Sequence, residues 1–153
     1  MSPKHIDAYM ATAHTFAKCS TARRLQVGSI IVKDNRIISI GYNGTPSGWD
    51  NNCEEEMRWP TGEIRFLKTL PEVLHAETNA IAKLARSSES GEGATMFITH
   101  APCLDCAKLI YQSGIEAVYY DKIYRTEDGL KFLNKSNVTT IHYGTEEEII
   151  PYI

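Results

Sequence analysis

The chain has 153 residues, 42% of them hydrophobic and 23% charged, which suits one compact domain and leaves too little length for two. Its formal charge of -3 excludes the broad basic surface used for non-specific binding to nucleic acid, so an anionic ligand would need a local basic pocket. No run approaches the ~20 apolar residues of a membrane span, and Met1-Ser2-Pro3-Lys4-His5 lacks a signal-peptide stretch, so the expected compartment is the cytoplasm, that of the host for a viral chain.

Ile6, Tyr9, Met10, Ala13, Phe16 and Ala17 recur at steps of three and four, which predicts a first helix from about Pro3 to Cys19 with proline in its first turn. Two β-branched runs, Val27 to Val32 and Ile37 to Tyr42, flank Lys33-Asp34-Asn35-Arg36 and predict a hairpin with a tight turn. From Asn43 to Leu74 the periodicity fails, and Gly44, Pro46, Gly48, Pro60, Gly62 and Pro71 punctuate an irregular insertion. Trp49 and Trp59 argue against full disorder there, because large aromatic groups gain stability by burying their surface. A helix follows from about His75 to Arg86, then a strand from Ala94 to Thr99 and a helix from Cys103 to Ser113 that Gly114 is placed to end. A strand at Glu116 to Tyr120, a helix at Glu127 to Asn134 and a strand at Val138 to His142 complete the order. Strands alternating with helices predict a three-layer α/β/α fold around a five-stranded mixed sheet, mainly parallel but opened by one antiparallel hairpin. The run Glu146-Glu147-Glu148 is read as a solvated terminal segment.

Four cysteines without a secretory signal do not read as a disulfide framework. Cys103 and Cys106 form Cys-x-x-Cys at the start of one predicted helix, and His75-Ala76-Glu77 opens the preceding one. A single strand separates those helices, so layered packing can bring both N-termini to one side of the sheet. One imidazole and two thiolates would then bind Zn2+ with three protein donors, as catalytic zinc sites do. The amide hydrogens and dipole of a helix N-terminus favour the two thiolate charges that metal binding demands. Glu77 lies two residues after His75, about 200° around a helix, so His75 should stand at the helix end for Glu77 to reach a metal-bound water as general acid and base. A first-turn glutamate that merely complements the dipole is the structural alternative. His100 precedes Cys103 by three residues and is disfavoured as a fourth ligand, and a redox dithiol is disfavoured because the motif comes late and after His-x-Glu.

His-x-Glu followed by Pro-Cys-x-x-Cys is the signature of zinc-dependent nucleobase deaminases. With Arg23-Arg24-Leu25-Gln26-Val27-Gly28, Gly41 to Gly48, His75 to Ile81 and Thr99 to Ala107, the sequence resembles the cytidine deaminase superfamily, and within it the branch acting on deoxycytidylate (dCMP). That resemblance covers most of the chain. It implies hydrolysis of dCMP to dUMP and ammonia in support of thymidylate synthesis, with His75, Cys103 and Cys106 on one catalytic zinc. Glu77 would take a proton from the bound water and return protons to the pyrimidine N3 and the departing amine.

The resemblance places Asn43 against the deoxyribose and Tyr124, after the fourth predicted strand, at the substrate. Arg23 and Arg24 are the candidate phosphate partners, because guanidinium pairs with phosphate oxygens, and which of them points inward is open. The family also implies a homo-oligomer, commonly a hexamer, activated by dCTP and inhibited by dTTP, with Mg2+ beside the triphosphate. Arg58, Arg65 and Lys68 are candidate partners for such an effector, with Trp49 or Trp59 as packing surfaces. Some relatives carry a second, structural zinc near the positions of Cys19 and Cys53, but Leu70 to Leu74 offers no histidine, so two buried thiols are expected instead. No nucleic acid or membrane partner is expected. The alternatives are a deaminase of the same fold acting on a nucleoside, guanine, a pterin-like precursor or tRNA adenosine, or a non-catalytic zinc-stabilised nucleotide sensor.

Overall fold

The computed structural model describes residues 1–144 and a two-residue strand at Ile149–Ile150; the acidic run Glu146 to Glu148 lies outside the described residues. The elements are α1 (Pro3–Ala17), β1 (Gly28–Lys33), β2 (Arg36–Tyr42), β3 (Glu54–Arg58), β4 (Ile64–Thr69), α2 (Ala76–Ala85), β5 (Thr95–His100), α3 (Leu104–Gln112), β6 (Ala117–Tyr124), α4 (Asp128–Lys135), β7 (Thr139–His142) and β8 (Ile149–Ile150). The main sheet runs β2-β1-β5-β6-β7, and β8 pairs with the far end of β6. β1 is antiparallel to both β2 and β5, whereas β5, β6 and β7 are parallel neighbours joined through α3 and α4.

Strand alternation sorts the core into two layers. Ile30, Val32 and Phe97 face α1, where they pack on Tyr9, Met10 and Ala13. Ile31, Met96 and Ile98 point to the opposite face, against residues of α2, α3 and α4 such as Leu84, Ile110 and Leu133. The expected three-layer α/β/α arrangement with a five-stranded mixed sheet is therefore present, with β8 as a short extension. The β1–β2 turn takes Asp34 and Asn35 through φ of 51° and 58°, the left-handed pair that a two-residue hairpin requires. Gly114, with φ of 83°, ends α3 as expected.

The segment expected to be irregular contains a second, separate two-stranded sheet, β3 paired with β4. Its turn, Trp59-Pro60-Thr61-Gly62, is closed by the Gly62 amide donating to the Trp59 carbonyl at 2.9 Å. Periodicity missed these strands because Glu54-Glu55-Glu56-Met57-Arg58 and Ile64 to Thr69 bury little on either face and so show no apolar alternation. The tryptophans are correspondingly open, Trp49 at 59% and Trp59 at 48% exposure, with the Arg65 guanidinium covering the Trp59 ring at 4.6 Å. β6 is also longer than expected, so Tyr124 is its last residue rather than part of a loop. No helix among the described residues is long and apolar enough to cross a membrane.

Candidate active site

α2 and α3 open at the same end of the sheet, and each begins on a metal-ligand type of side chain. His75 is the N-cap of α2 with extended backbone, and Cys103 is the N-cap of α3, with Cys106 in the first turn. The hydroxyls of Ser29 and Ser39 donate to the carbonyls of Ala76 (2.9 Å) and Ala80 (2.7 Å), pinning the start of α2 onto β1 and β2. His75 Nδ1 lies 3.3 Å from Cys106 Sγ and 3.7 Å from Cys103 Sγ, and all three donor atoms fall within 4.8 Å of one another. A tetrahedral zinc with bonds of about 2.0 Å to nitrogen and 2.3 Å to sulfur separates N and S by about 3.5 Å, so the donor set fits that ion. Three protein donors is also the count of a catalytic rather than a closed structural site.

The three side chains are hydrogen-bonded to one another. Hydrogen bonds from Cys106 and His75 hold the Cys103 thiol down to about 4, and the Cys106 thiol, as donor, is pushed above its ordinary value. The Cys103 hydrogen bond raises His75, against the opposing effect of burial. Thr78 Oγ1 stands 3.7 Å from Cys106 Sγ and adds a contact to that sulfur. Glu77 is 4% exposed and lines the same cavity as His75 and Cys103. Burial raises its carboxyl above the ordinary carboxylate value, with the His75 charge working the other way.

That cavity, of about 240 Å³, reaches from the His–Cys–Cys group to Arg24, Asn43, Tyr124 and Arg125. Arg24 is the inward-facing arginine: its guanidinium donates to the Tyr124 hydroxyl and lies 5.7 Å from that ring's centre. Arg23 diverges, pairing with Glu56 at 3.0 Å, and does not line the cavity. Asn43 lines the cavity while its amide oxygen accepts from the Val27 N–H (2.9 Å) and its nitrogen donates to the Leu25 carbonyl (2.8 Å). One lone pair and one N–H of that amide remain beyond those two bonds.

Arg58, Arg65, Lys68 and Trp59 sit on the β3–β4 hairpin and its turn, with Trp49 in the preceding loop, and none of the five lines the cavity. Arg58 is taken up by Glu56 and the Gly62 carbonyl. Cys53 is buried as expected but Cys19 is exposed, because α1 stops at Ala17 and leaves Cys19 in the turn beyond; neither joins a three-ligand group among the described residues.

Three cavity residues escaped the sequence reading. His100, set aside as a ligand, is buried in the cavity wall and bonds Thr99 Oγ1 at 2.8 Å. Arg125 brings a second cation, 5.0 Å from the Tyr124 ring centre, and only its adjacency to Tyr124 hinted at this. Glu54 is 2% exposed and lines the cavity, and the aperiodic stretch from Asn43 to Leu74 in which it lies gave no local sign of that.

Comparison with known proteins agrees with this geometry. Residues 3–122 match the cytidine and deoxycytidylate deaminase zinc-binding region. The chain is 35% identical over 142 residues to ComE operon protein 2 of Bacillus subtilis, covering 93% of this chain and 72% of that protein. It is 37% identical over 125 residues to the deoxycytidylate deaminase of Homo sapiens, covering 80% of this chain and 68% of the human one. Among solved structures, the dCMP deaminase from the cyanophage S-TIM5, in complex with dCMP and dUMP, superposes with a TM-score of 0.81 at 42% identity, covering 98% of this chain and 99% of the other.

Proposed function

The chain belongs to the cytidine and deoxycytidylate deaminase family, and from that premise we propose that it hydrolyses dCMP, with water, to dUMP and ammonia. The observation that carries this reading is the cavity itself, whose wall brings His75 and Cys103 of the metal-donor group together with buried Glu77 and Arg24. His75, Cys103 and Cys106 would hold a zinc ion, whose chemistry there would be to lower the pKa of water from about 15.7 to about 7. Glu77 would take a proton from the attacking water and deliver protons to pyrimidine N3 and the departing amine. Its burial suits both halves of the task, since a carboxyl whose charged form burial disfavours takes up a proton more readily than an exposed one and can pass it on. Arg24 binds the 5′-phosphate, Tyr124 orients that arginine and offers its ring, and the remaining lone pair and N–H of Asn43 meet the deoxyribose hydroxyl.

The test is a comparison of deoxycytidine, dCMP and dCTP by ammonia release from the zinc-loaded protein. A strong preference for dCMP is expected, and equal catalytic efficiency on dCMP and deoxycytidine would contradict the assignment.

The reading extends to regulation and assembly: a cytoplasmic homo-oligomer, a hexamer, supplying dUMP for thymidylate synthesis, activated by dCTP and inhibited by dTTP with Mg2+ beside the triphosphate. Lys68, Arg65, Arg58 and the open Trp49 and Trp59 faces, all outside the cavity, are the surface offered to such an effector. A sigmoidal dCMP curve straightened by dCTP and depressed by dTTP supports it, and indifference to both nucleotides rejects it.

A further inference from the structure

We propose that Glu54 is a positioning residue for the substrate phosphate, acting through the backbone of Arg23 and Arg24 to aim the Arg24 guanidinium into the cavity. The inference rests on the dCMP reading above and concerns how phosphate selectivity is built.

Arg23 and Arg24 lie in a bend between α1 and β1, outside any helix or strand whose ladder would hold their amides. Glu54 takes over that task. Its carboxylate accepts from the Arg23 N–H at 3.2 and 3.0 Å and from the Arg24 N–H at 3.0 Å, with Arg23 Nε 3.6 Å away. Bonds from amides to a buried carboxylate are stronger than neutral ones, and the carboxylate cannot exchange them for water, so the bend is held where Glu54 stands. Glu54 in turn opens β3, and the adjoining Cys53 carbonyl accepts from the Leu70 N–H at 2.9 Å just beyond β4.

With both amides pulled to one carboxylate, the two successive side chains leave in different directions. Arg23 goes outward to Glu56, and Arg24 goes inward to Tyr124. The same arrangement resolves an electrostatic conflict. Glu54 lines the cavity, where a bare carboxylate would repel a phosphate dianion, but two N–H dipoles and the Arg23 guanidinium offset its charge. The two arginines therefore divide the work, one neutralising Glu54 and one facing the ligand.

The experiment measures kcat and KM for dCMP and deoxycytidine in the zinc-loaded wild type, Glu54→Gln, Arg24→Ala and the double variant. Glu54→Gln is expected to raise KM for dCMP by about tenfold, with kcat for dCMP and efficiency on deoxycytidine little changed. In the Arg24→Ala background the same change should add nothing, because the residue through which it acts is gone. Glu54→Asp, which keeps the charge and withdraws it by one methylene, should show the same selective rise at smaller size and covers the case in which the glutamine variant does not fold. Equal losses on both substrates, an unchanged preference for dCMP, or the same added loss with and without Arg24 would overturn the proposal. A wild type with no preference for dCMP would instead refute the functional reading on which it rests.

Discussion

Glu77 combines two properties that rarely meet in one carboxylate: it is 4% exposed, and it lies two residues from a metal-ligand type of side chain at a helix start. Burial disfavours its charged form, so neither packing nor stability explains a glutamate there, whereas the proposed proton transfer does. Glu77→Gln is nearly isosteric and is expected to retain zinc and the wild-type Tm while losing turnover by about 10²–10⁴-fold. Metal analysis beside an ammonia assay checks this, and near-normal turnover would remove Glu77 from the proton-transfer role. The same residue shows what local sequence can reveal. His-x-Glu and Cys-x-x-Cys name the chemistry because their spacing constrains geometry within one helical turn. Arg23 and Arg24 are chemically identical neighbours, and nothing local separates the inward from the outward one.

At the scale of elements, the site depends on how closely α2 lies on the sheet. A Cβ added at Gly41 of β2 would stand 2.2 Å from the Ala76 carbonyl oxygen and 2.6 Å from the Ala80 nitrogen, both backbone atoms of α2. Gly41→Ala therefore has to push the helix away, taking His75 and Glu77 with it. The expected result is a loss of about 1–3 kcal/mol, as for other overpacked contacts, together with faster loss of zinc to a chelator. Denaturant titration and a zinc competition assay measure the two effects, and unchanged zinc retention would show that α2 can shift without disturbing the ligands. The β3–β4 hairpin depends instead on exposed charge. The Arg23 hydrogen bond, followed by that of Arg58, holds the Glu56 carboxyl below the ordinary carboxylate value. A folded value below the unfolded one means that the contribution is present above the unfolded pKa and is lost as pH falls through the folded one. Amide exchange in residues 54–58 should therefore speed up, relative to the core strands, on acidification below about pH 4.5 and on addition of salt. Protection independent of both would assign the hairpin's order to its apolar side chains.

For the whole molecule, the metal-donor side chains lie on two helices that the chain separates by a strand, so a bound zinc would brace one face of the sheet as well as serve the proposed chemistry. Free zinc at 100 times its dissociation constant stabilises a site absent from the unfolded chain by about 2.7 kcal/mol. In a domain of this size that corresponds to roughly 5–11 °C in Tm, so complete chelation should lower Tm by that order. A metal-free chain melting at the holo temperature would show that packing alone holds the two helix ends together. By itself the sequence determined the helices, the five principal strands and the His75, Cys103 and Cys106 group, and it singled out Glu77 beside them. Each of these rests on periodicity, capping or spacing within a few residues, where backbone geometry leaves little freedom. Tertiary structure alone decided the rest: the solvent-facing hairpin hidden in an acidic run, the exposure of Cys19, the inward turn of Arg24, and the burial of Glu54 against amides 30 and 31 residues away. Side-chain direction and burial are set by which distant residues come to lie alongside, and no local pattern of residue types records that.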